Sequence, residues 1–399
     1  MKRFFFSAIA LVVAATACTE SGLIETPDFY ANGITFEPYI GKAPVTKAES
    51  IDEAYLMSKT TEGAPAFHVY AFLHNSNVEN ATGIKVTKPF MDKDVWYDTR
   101  DNVWRYDGLE YWPEGQDTYL AFVAYNSDAE DCITSHPTPT KFEFTVPDVV
   151  EDQVDLLITD FMPWQWDSNP AGNTEVNLVF KHLLSRVGFS VIATNPTQGV
   201  DIAIRSIKFY GDFYSTGTVD LAPAASVGSK DSPSLISPVI EKKAGTEVSV
   251  YSLFDSEHCF EASSYDCKPT TVTVGENQVT IPGKPIFPNV ALDLTATDWE
   301  DRYEPVFNSV AESTAAENDR YMMLIPGELG DNAYIEVEYQ LTSDIKRTAK
   351  VQLQDWELLA GFAYEFVLKV STNSIEFEAD MSNGWSDSVA PTGSLVPLS

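Results

Sequence analysis

Residues 176–192 read VNLVFKHLLSRVGFSVI. Apolar side chains fall on every second residue at Val176, Leu178 and Phe180, and again at Val187, Phe189 and Val191. A period of two belongs to a β-strand with one buried face. Between the runs stands KHLLSR, residues 181–186, which breaks the alternation and sets His182 and Arg186 among apolar neighbours. The spacing predicts one continuous segment that kinks and passes from one face or sheet to another, with Leu183 and Leu184 packed under the kink. On this reading His182 donates to a backbone carbonyl and Arg186 pairs with a carboxylate. Neither has the local context of a catalytic nucleophile.

The same period recurs outward from this stretch. FHVYAFLH (67–74), KFEFTV (141–146), VDIAIRSIKFYG (200–211), NAYIEVEYQLTS (332–343) and FAYEFVLKVS (362–371) read as strands, and DTYLAFVAYNS (117–127) is a near-continuous apolar run fit for a buried strand. TTVTVGENQVTIP (270–282) predicts two strands joined at Gly275-Glu276-Asn277, and Asp107-Gly108 predicts a tight turn between aromatic strands. One short helix is expected at 307–319. WDSNPAGN (166–173) is rich in turn formers and marks a division of the chain. The expected fold is all-β: two tandem antiparallel β-sandwich domains, Greek-key-like and transthyretin-like, over 34–172 and 173–385, with a tail at 386–399.

The N-terminus has its own logic. MKRFFFSAIALVVAATAC has a basic start, an apolar stretch and small residues ahead of Cys18. This is a secretory signal over 1–17, too short to stay as a membrane span. Its end resembles a bacterial lipobox, which makes Cys18 the lipidation residue and 18–33 a lipidated leader. Beyond it, Ile34, Phe36 and Ile40 alternate around Pro38, the pattern of an edge or bulged strand.

Composition excludes several function classes. With 59 acidic against 26 basic residues, the formal charge is −33, so a phosphate backbone is repelled and nucleic acid is no partner. No P-loop, GxGxxG or GxSxG occurs, the five histidines are scattered, and no calcium loop is present. We expect no catalytic residues, no metal and no cofactor. Cys259 and Cys267 bracket FEASSYD and either close a short disulfide loop or remain thiols; Cys132 is left over. Trp96, Trp104, Tyr106, Tyr111 and Trp112 lie close in sequence. They suit either a sugar-stacking face or the core of a β-fold, and the core is the commoner fate.

Taken together, FKHLLSRVGFSV (180–191), YWPEGQDTYLAFVAY (111–125), VDLLITD (154–160), YMMLIPGEL (321–329) and the late WELLAGFAYEFVLKVSTNSIEFEADMSNGW (356–385) resemble the fimbrillin-like family of Bacteroidales. ITFEPYIGKAPVTKA (34–48) resembles that family's first strand and processing region. The resemblance implies a type V pilus subunit of two β-sandwich domains, sent to the outer membrane as a lipoprotein acylated on Cys18. It implies a protease that removes the first strand, and a groove that a neighbouring subunit's strand refills. Ile34, Phe36 and Ile40 are then the plug. The candidate donor strand is C-terminal, with Val389, Leu395, Val396 and Leu398. The family's protease commonly cuts after arginine, whereas here no arginine stands between Arg3 and Arg100, and Lys42 and Lys47 are the candidate processing sites. Either a lysine-tolerant enzyme acts there or the subunit keeps its lipid as an anchor. The implied partners are other pilus subunits, the outer membrane before processing, and a host or bacterial surface receptor. The alternative reading is a surface glycan-binding lipoprotein of a polysaccharide-uptake system.

Overall fold

The structure is a computed structural model that describes residues 33–40, 53–74, 88–113, 119–165, 175–194, 200–221, 239–253, 260–264, 267–268, 270–274, 277–281, 284–286, 321–342, 346–371, 374–383, 387–389 and 394–398. The described chain is nearly all β, in several sheets. The largest sheet runs β1 (Thr35–Ile40), β10 (Glu175–His182), β8 (Leu157–Thr159), β5 (Tyr119–Asn126), β2 (Phe67–His74), β3 (Met91–Asp98), β4 (Val103–Arg105), with β9 (Met162–Gln165) also on β5. A second runs β19 (Lys284–Ile286), β11 (Ser185–Ala193), β25 (Phe362–Val370), β26 (Ile375–Asn383), β27 (Asp387–Val389), with β20 (Met322–Leu324) on β11. A third runs β15 (Glu247–Ser252), β12 (Asp201–Tyr214), β22 (Tyr334–Leu341), β23 (Lys346–Gln354), β28 (Ser394–Leu398), with β16 (Phe260–Ser263) on β12. A fourth runs β14 (Val239–Lys242), β13 (Thr216–Asp220), β7 (Lys141–Thr145), β6 (Ile133–Thr138). Two ribbons, β17 (Thr270–Val274) with β18 (Asn277–Ile281) and β21 (Gly327–Glu328) with β24 (Glu357–Leu358), and a short helix α1 (Glu53–Ser58) complete the described elements.

The opening stretch behaves as its period requires. β10 lies in the largest sheet and β11 in the second, and the chain changes sheets at Leu183 and Leu184, which are 0% and 1% exposed. The transfer therefore comes after 172/173, and a second feature crosses that position. β6 and β7 precede it, yet β7 pairs with β13 from Thr145↔Thr216 to Lys141↔Asp220. Strand pairing thus ties the segments 34–172 and 173–385 together.

Two ladders depart from the antiparallel expectation. β1 pairs in parallel with β10, from Thr35↔Glu175 to Ile40↔Phe180, and β11 pairs in parallel with β25. Parallel neighbours need a long connection between them, so local sequence gives no sign of them. The predicted ribbon β17–β18 forms in antiparallel register from Thr270↔Ile281 to Val274↔Asn277. The β3–β4 hairpin turns at 99–102, where Asn102 takes a positive φ of 54°. Gly108, with φ 68°, bends the chain after β4 rather than within the hairpin. The expected helix at 307–319 and the turn-rich stretch 166–173 lie outside the described residues, as do Cys18, Lys42, Lys47 and Cys259.

Three apolar cores result. Val187 and Phe189 of β11, Ile207 and Phe209 of β12, Ile335 of β22 and Phe366 of β25 share one core, so the second and third sheets bury a common face. The largest sheet buries both faces. Phe67, Val69, Phe122 and Phe180 meet Ile34, Phe36 and Ile40 of β1 on one side. Ala121, Val123 and Tyr125 of β5 meet Phe142 and Phe144 of β7, together with Leu183 and Leu184, on the other. A strand covered on both faces reads as a continuous apolar run, which is how 119–126 reads.

Candidate functional site

β1 is the edge strand of the largest sheet, and its burial alternates in register with its sequence. Ile34, Phe36 and Ile40 are 0%, 3% and 6% exposed. The Phe36 ring meets Phe67 and Phe122 edge-on at centroid distances of 6.1 and 6.0 Å, and Tyr106 at 5.8 Å. One side of β1 is taken by β10. On the other side the Ile34 N–H donates to Glu110 O at 2.9 Å and Tyr106 Oη donates to Ile34 O at 2.8 Å. Backbone N–H groups alternate along a strand. Pro38, four residues after Ile34, therefore turns its missing N–H to the same outer side, away from the β10 ladder. A proline at that position costs no ladder hydrogen bond, as expected of an edge strand.

The chain downstream of 41–52 shares the core of Ile34, Phe36 and Ile40 through Tyr55 and Leu56, and polar contacts of its own fasten it as well. Tyr55 Oη donates to Asp128 Oδ2 at 2.5 Å, Lys59 Nζ reaches Asp128 Oδ1 at 2.8 Å, and Tyr97 N donates to Lys59 O at 2.9 Å. Leu56 is fully buried. Burial and the Asp128 carboxylate together raise the Tyr55 pKa above its ordinary 10.0. Burial pulls the Lys59 pKa down, but Asp128 and Tyr55 outweigh it, and the balance lies above the ordinary 10.5. Sequence reading misses this latch, because Tyr55 and Asp128 are distant in the chain and neither sits in a motif.

The tail also forms strands. β27, which carries Val389, pairs with β26. β28 pairs antiparallel with β23 from Gln354↔Ser394 to Lys350↔Leu398, with Val396 opposite Gln352. Leu395 packs against the core that the second and third sheets share, opposite the buried Leu353, and Pro397 stands opposite Val351.

The His-Leu-Leu-Ser-Arg kink is a buried joint. His182 Nδ1 faces Asp155 Oδ2 at 2.8 Å, and Asp155 is fully buried. Sequence reading gives His182 a backbone carbonyl; the structure gives it a carboxylate delivered by the segment before β8. The Arg186 guanidinium lies over the Tyr321 ring at 4.4 Å. Burial holds its pKa below the usual arginine value, against the opposing pull of Tyr321, Asp155 and Glu365. Ser185 is fully buried and its hydroxyl donates to Leu359 O at 2.8 Å. The nearby Ser, His and Asp thus offer no accessible nucleophile.

Trp104 and Trp112 pack against core rings, whereas Trp96 is half-buried on the face of β3 opposite Val95 and Tyr97. Trp104 lies 5.4 Å from Phe67 and 5.0 Å from Tyr97, and Trp112 lies 5.9 Å from Phe122. Tyr111 is the most exposed member of this group, at 53%, and Trp96, Trp104 and Tyr106 are half-buried. Cys267 is buried, and burial together with Asp131 raises the pKa of the Cys132 thiol, which makes it a poor nucleophile. Among the described residues no three His, Cys, Asp or Glu side chains gather as metal ligands.

Comparison with known proteins supplies the remaining context. The profile of the Fimbrillin-like family matches residues 46–253, just over half the chain. No curated protein matches. Among solved structures, a fimbrial protein from Bacteroides vulgatus is similar at 15% identity and a TM-score of 0.47, covering 88% of this chain and 99% of that one. A fimbrial assembly protein from Parabacteroides distasonis is similar at 9% identity and a TM-score of 0.36, covering 85% and 93% respectively.

Proposed function

The chain belongs to the fimbrillin-like family, and from that membership we propose a subunit exported as a lipoprotein on Cys18 and polymerised by strand exchange. The family indicates a structural, non-enzymatic constituent of a fimbria at the cell surface, assembled with other pilus subunits. Within that frame, cleavage in the 41–50 connection, at Lys42 or Lys47, frees β1. Its departure leaves β10 with unpaired backbone groups and empties the pockets of Ile34, Phe36 and Ile40, an exposed edge that costs free energy until it is covered. A strand from the next subunit pairs along β10 and refills it, which is β-augmentation. Because the contact joins one subunit's groove to another's terminus, it does not close and a filament grows. The two β-sandwich units of this scheme share strands across 172/173, since β10 completes the sheet that holds β1 and β7 pairs with β13, and the terminal strand of 386–399 is the donor to the next groove.

The observation that carries the proposal is the construction of β1. It is an edge strand, it is joined to the rest of the described chain through the 41–52 connection, and it supplies three side chains to a core it can leave as one piece. The test uses two chains. In the first, a specific protease site is placed between 41 and 50, and cutting it in the presence of its partner subunits should convert monomers to oligomers that survive mild denaturant. In the second, residues 386–399 are deleted, and the chain should fold, accept a donor and fail to extend further. Cleaved full-length protein that stays monomeric in the presence of its partner subunits would discard the mechanism.

A further inference from the structure

We infer that the groove under β1 is shaped for the strand of a different subunit, and that this chain's own tail is a poor occupant of it. The inference rests on the strand-exchange reading and specifies its partner.

β1 presents Ile34, Phe36, Pro38 and Ile40 inward, each two residues apart. Three of the four are bulky, and the Phe36 pocket is walled by the rings of Phe67, Tyr106 and Phe122. A replacement running in the direction of β1 must put bulky side chains at the same spacing. It must also keep any proline at the parity of Pro38, where the missing N–H faces away from β10.

The tail meets the second condition and fails the first. Its end reads GSLVPLS over 393–399, and placing Pro397 at the Pro38 position puts Leu395 at that of Phe36. On β23, Leu395 already turns to the core. In this register, however, Gly393 falls at the Ile34 position and Ser399 at that of Ile40. One of three large pockets is filled, and by a leucine where a phenylalanine stood. Sliding the tail by one residue turns Val396 and Leu398 inward but aims the proline at the β10 ladder, which loses a hydrogen bond. Reversing the tail also reverses which residues turn their N–H to β10, so Val396 and Leu398 can then face inward without aiming Pro397 at the ladder, but at most two of the three large pockets are filled and no aromatic ring enters that of Phe36. The matching partner is a strand with the pattern aliphatic-x-aromatic-x-proline-or-apolar-x-aliphatic.

The experiment uses the full chain nicked at an engineered site between 41 and 50. Labelled peptides copying 33–41 (GITFEPYIG) and 390–399 (APTGSLVPLS) compete for the groove, and uptake is read by size-exclusion chromatography. The loss of two buried isoleucines and the change of Phe to Leu should weaken the tail peptide by at least about 100-fold. A tail peptide carrying Gly393→Ile, Leu395→Phe and Ser399→Ile should recover most of that difference. Native tail peptide binding within tenfold of the 33–41 copy overturns the inference and makes a second copy of this chain a competent partner. If neither peptide enters while the nicked chain stays folded, the groove itself is the error, and strand exchange falls with it.

Discussion

Phe36→Ala is the sharpest probe of how β1 is held. The side chain is 3% exposed and touches three rings. Truncating a buried phenylalanine costs about 3–5 kcal/mol, including the cavity left behind. Ile34, Phe36 and Ile40 together contribute roughly 5–9 kcal/mol through burial, at about 1.5–3 kcal/mol each. Phe36 is thus a large part of what keeps β1 docked. In the intact chain the loss is softened, because a tethered strand rebinds. In a chain nicked between 41 and 50 it appears directly as dissociation of the N-terminal segment. At 1.4 kcal/mol per tenfold, the segment should dissociate about 140- to 4,000-fold more readily than in the nicked parent. The assay is release of a labelled N-terminal segment, followed by fluorescence anisotropy after dilution. Tyr39→Phe, at a position facing away from the core, is the control and should change release by less than about threefold, within the small range of surface substitutions. Equal release from Phe36→Ala and its parent would refute the view that core side chains, rather than backbone pairing alone, retain β1.

Three other outcomes follow from the structure. Asp155→Ala leaves His182 and Arg186 buried beside the vacated carboxylate site, and breaking such a buried charged group costs about 3–5 kcal/mol; denaturant unfolding should show it, and Asp155→Asn should cost less. Gly188→Ala drives a methyl into Glu365 Oε2 and, at 2.5 Å, into the Tyr321 ring, so overpacking should lower stability by about 1–3 kcal/mol in the same assay. The latch between Tyr55, Lys59 and Asp128 sets an alkaline limit. Both folded pKa values are raised above 10.0 and 10.5, so this stability is complete below pH 10 and drains as pH rises through the folded values. Melting temperature should therefore fall above pH 10, and less steeply in Tyr55→Phe; an unchanged slope in that variant would remove Tyr55 from the account.

Legibility in the sequence followed the distance between partners. The two strands of 176–192 and the crossing at Leu183–Leu184 could be read locally, because a period of two and its interruption are properties of neighbouring residues. The edge character of β1 was readable from Pro38 for the same reason. The parallel ladders, the pairing of β7 with β13, and Asp155 beneath His182 were not, since each depends on a partner far along the chain. The tryptophans show the limit from another side. Composition left two fates open for Trp104 and Trp112, and only the packing of Phe67, Tyr97 and Phe122 around them separates the two.

The parallel ladder between Thr35–Ile40 and Glu175–His182 also bears on the order of folding. A strand made near the start of synthesis has no edge to join until its partner, far downstream, has been made and has itself paired with β8. Contacts of such long sequence separation form late and slowly. β1 is therefore among the last pieces to dock, and for that interval its apolar side chains travel uncovered. A chaperone that binds short apolar stretches would find its best target there, in the newly made chain, and would lose it once the sheet is complete.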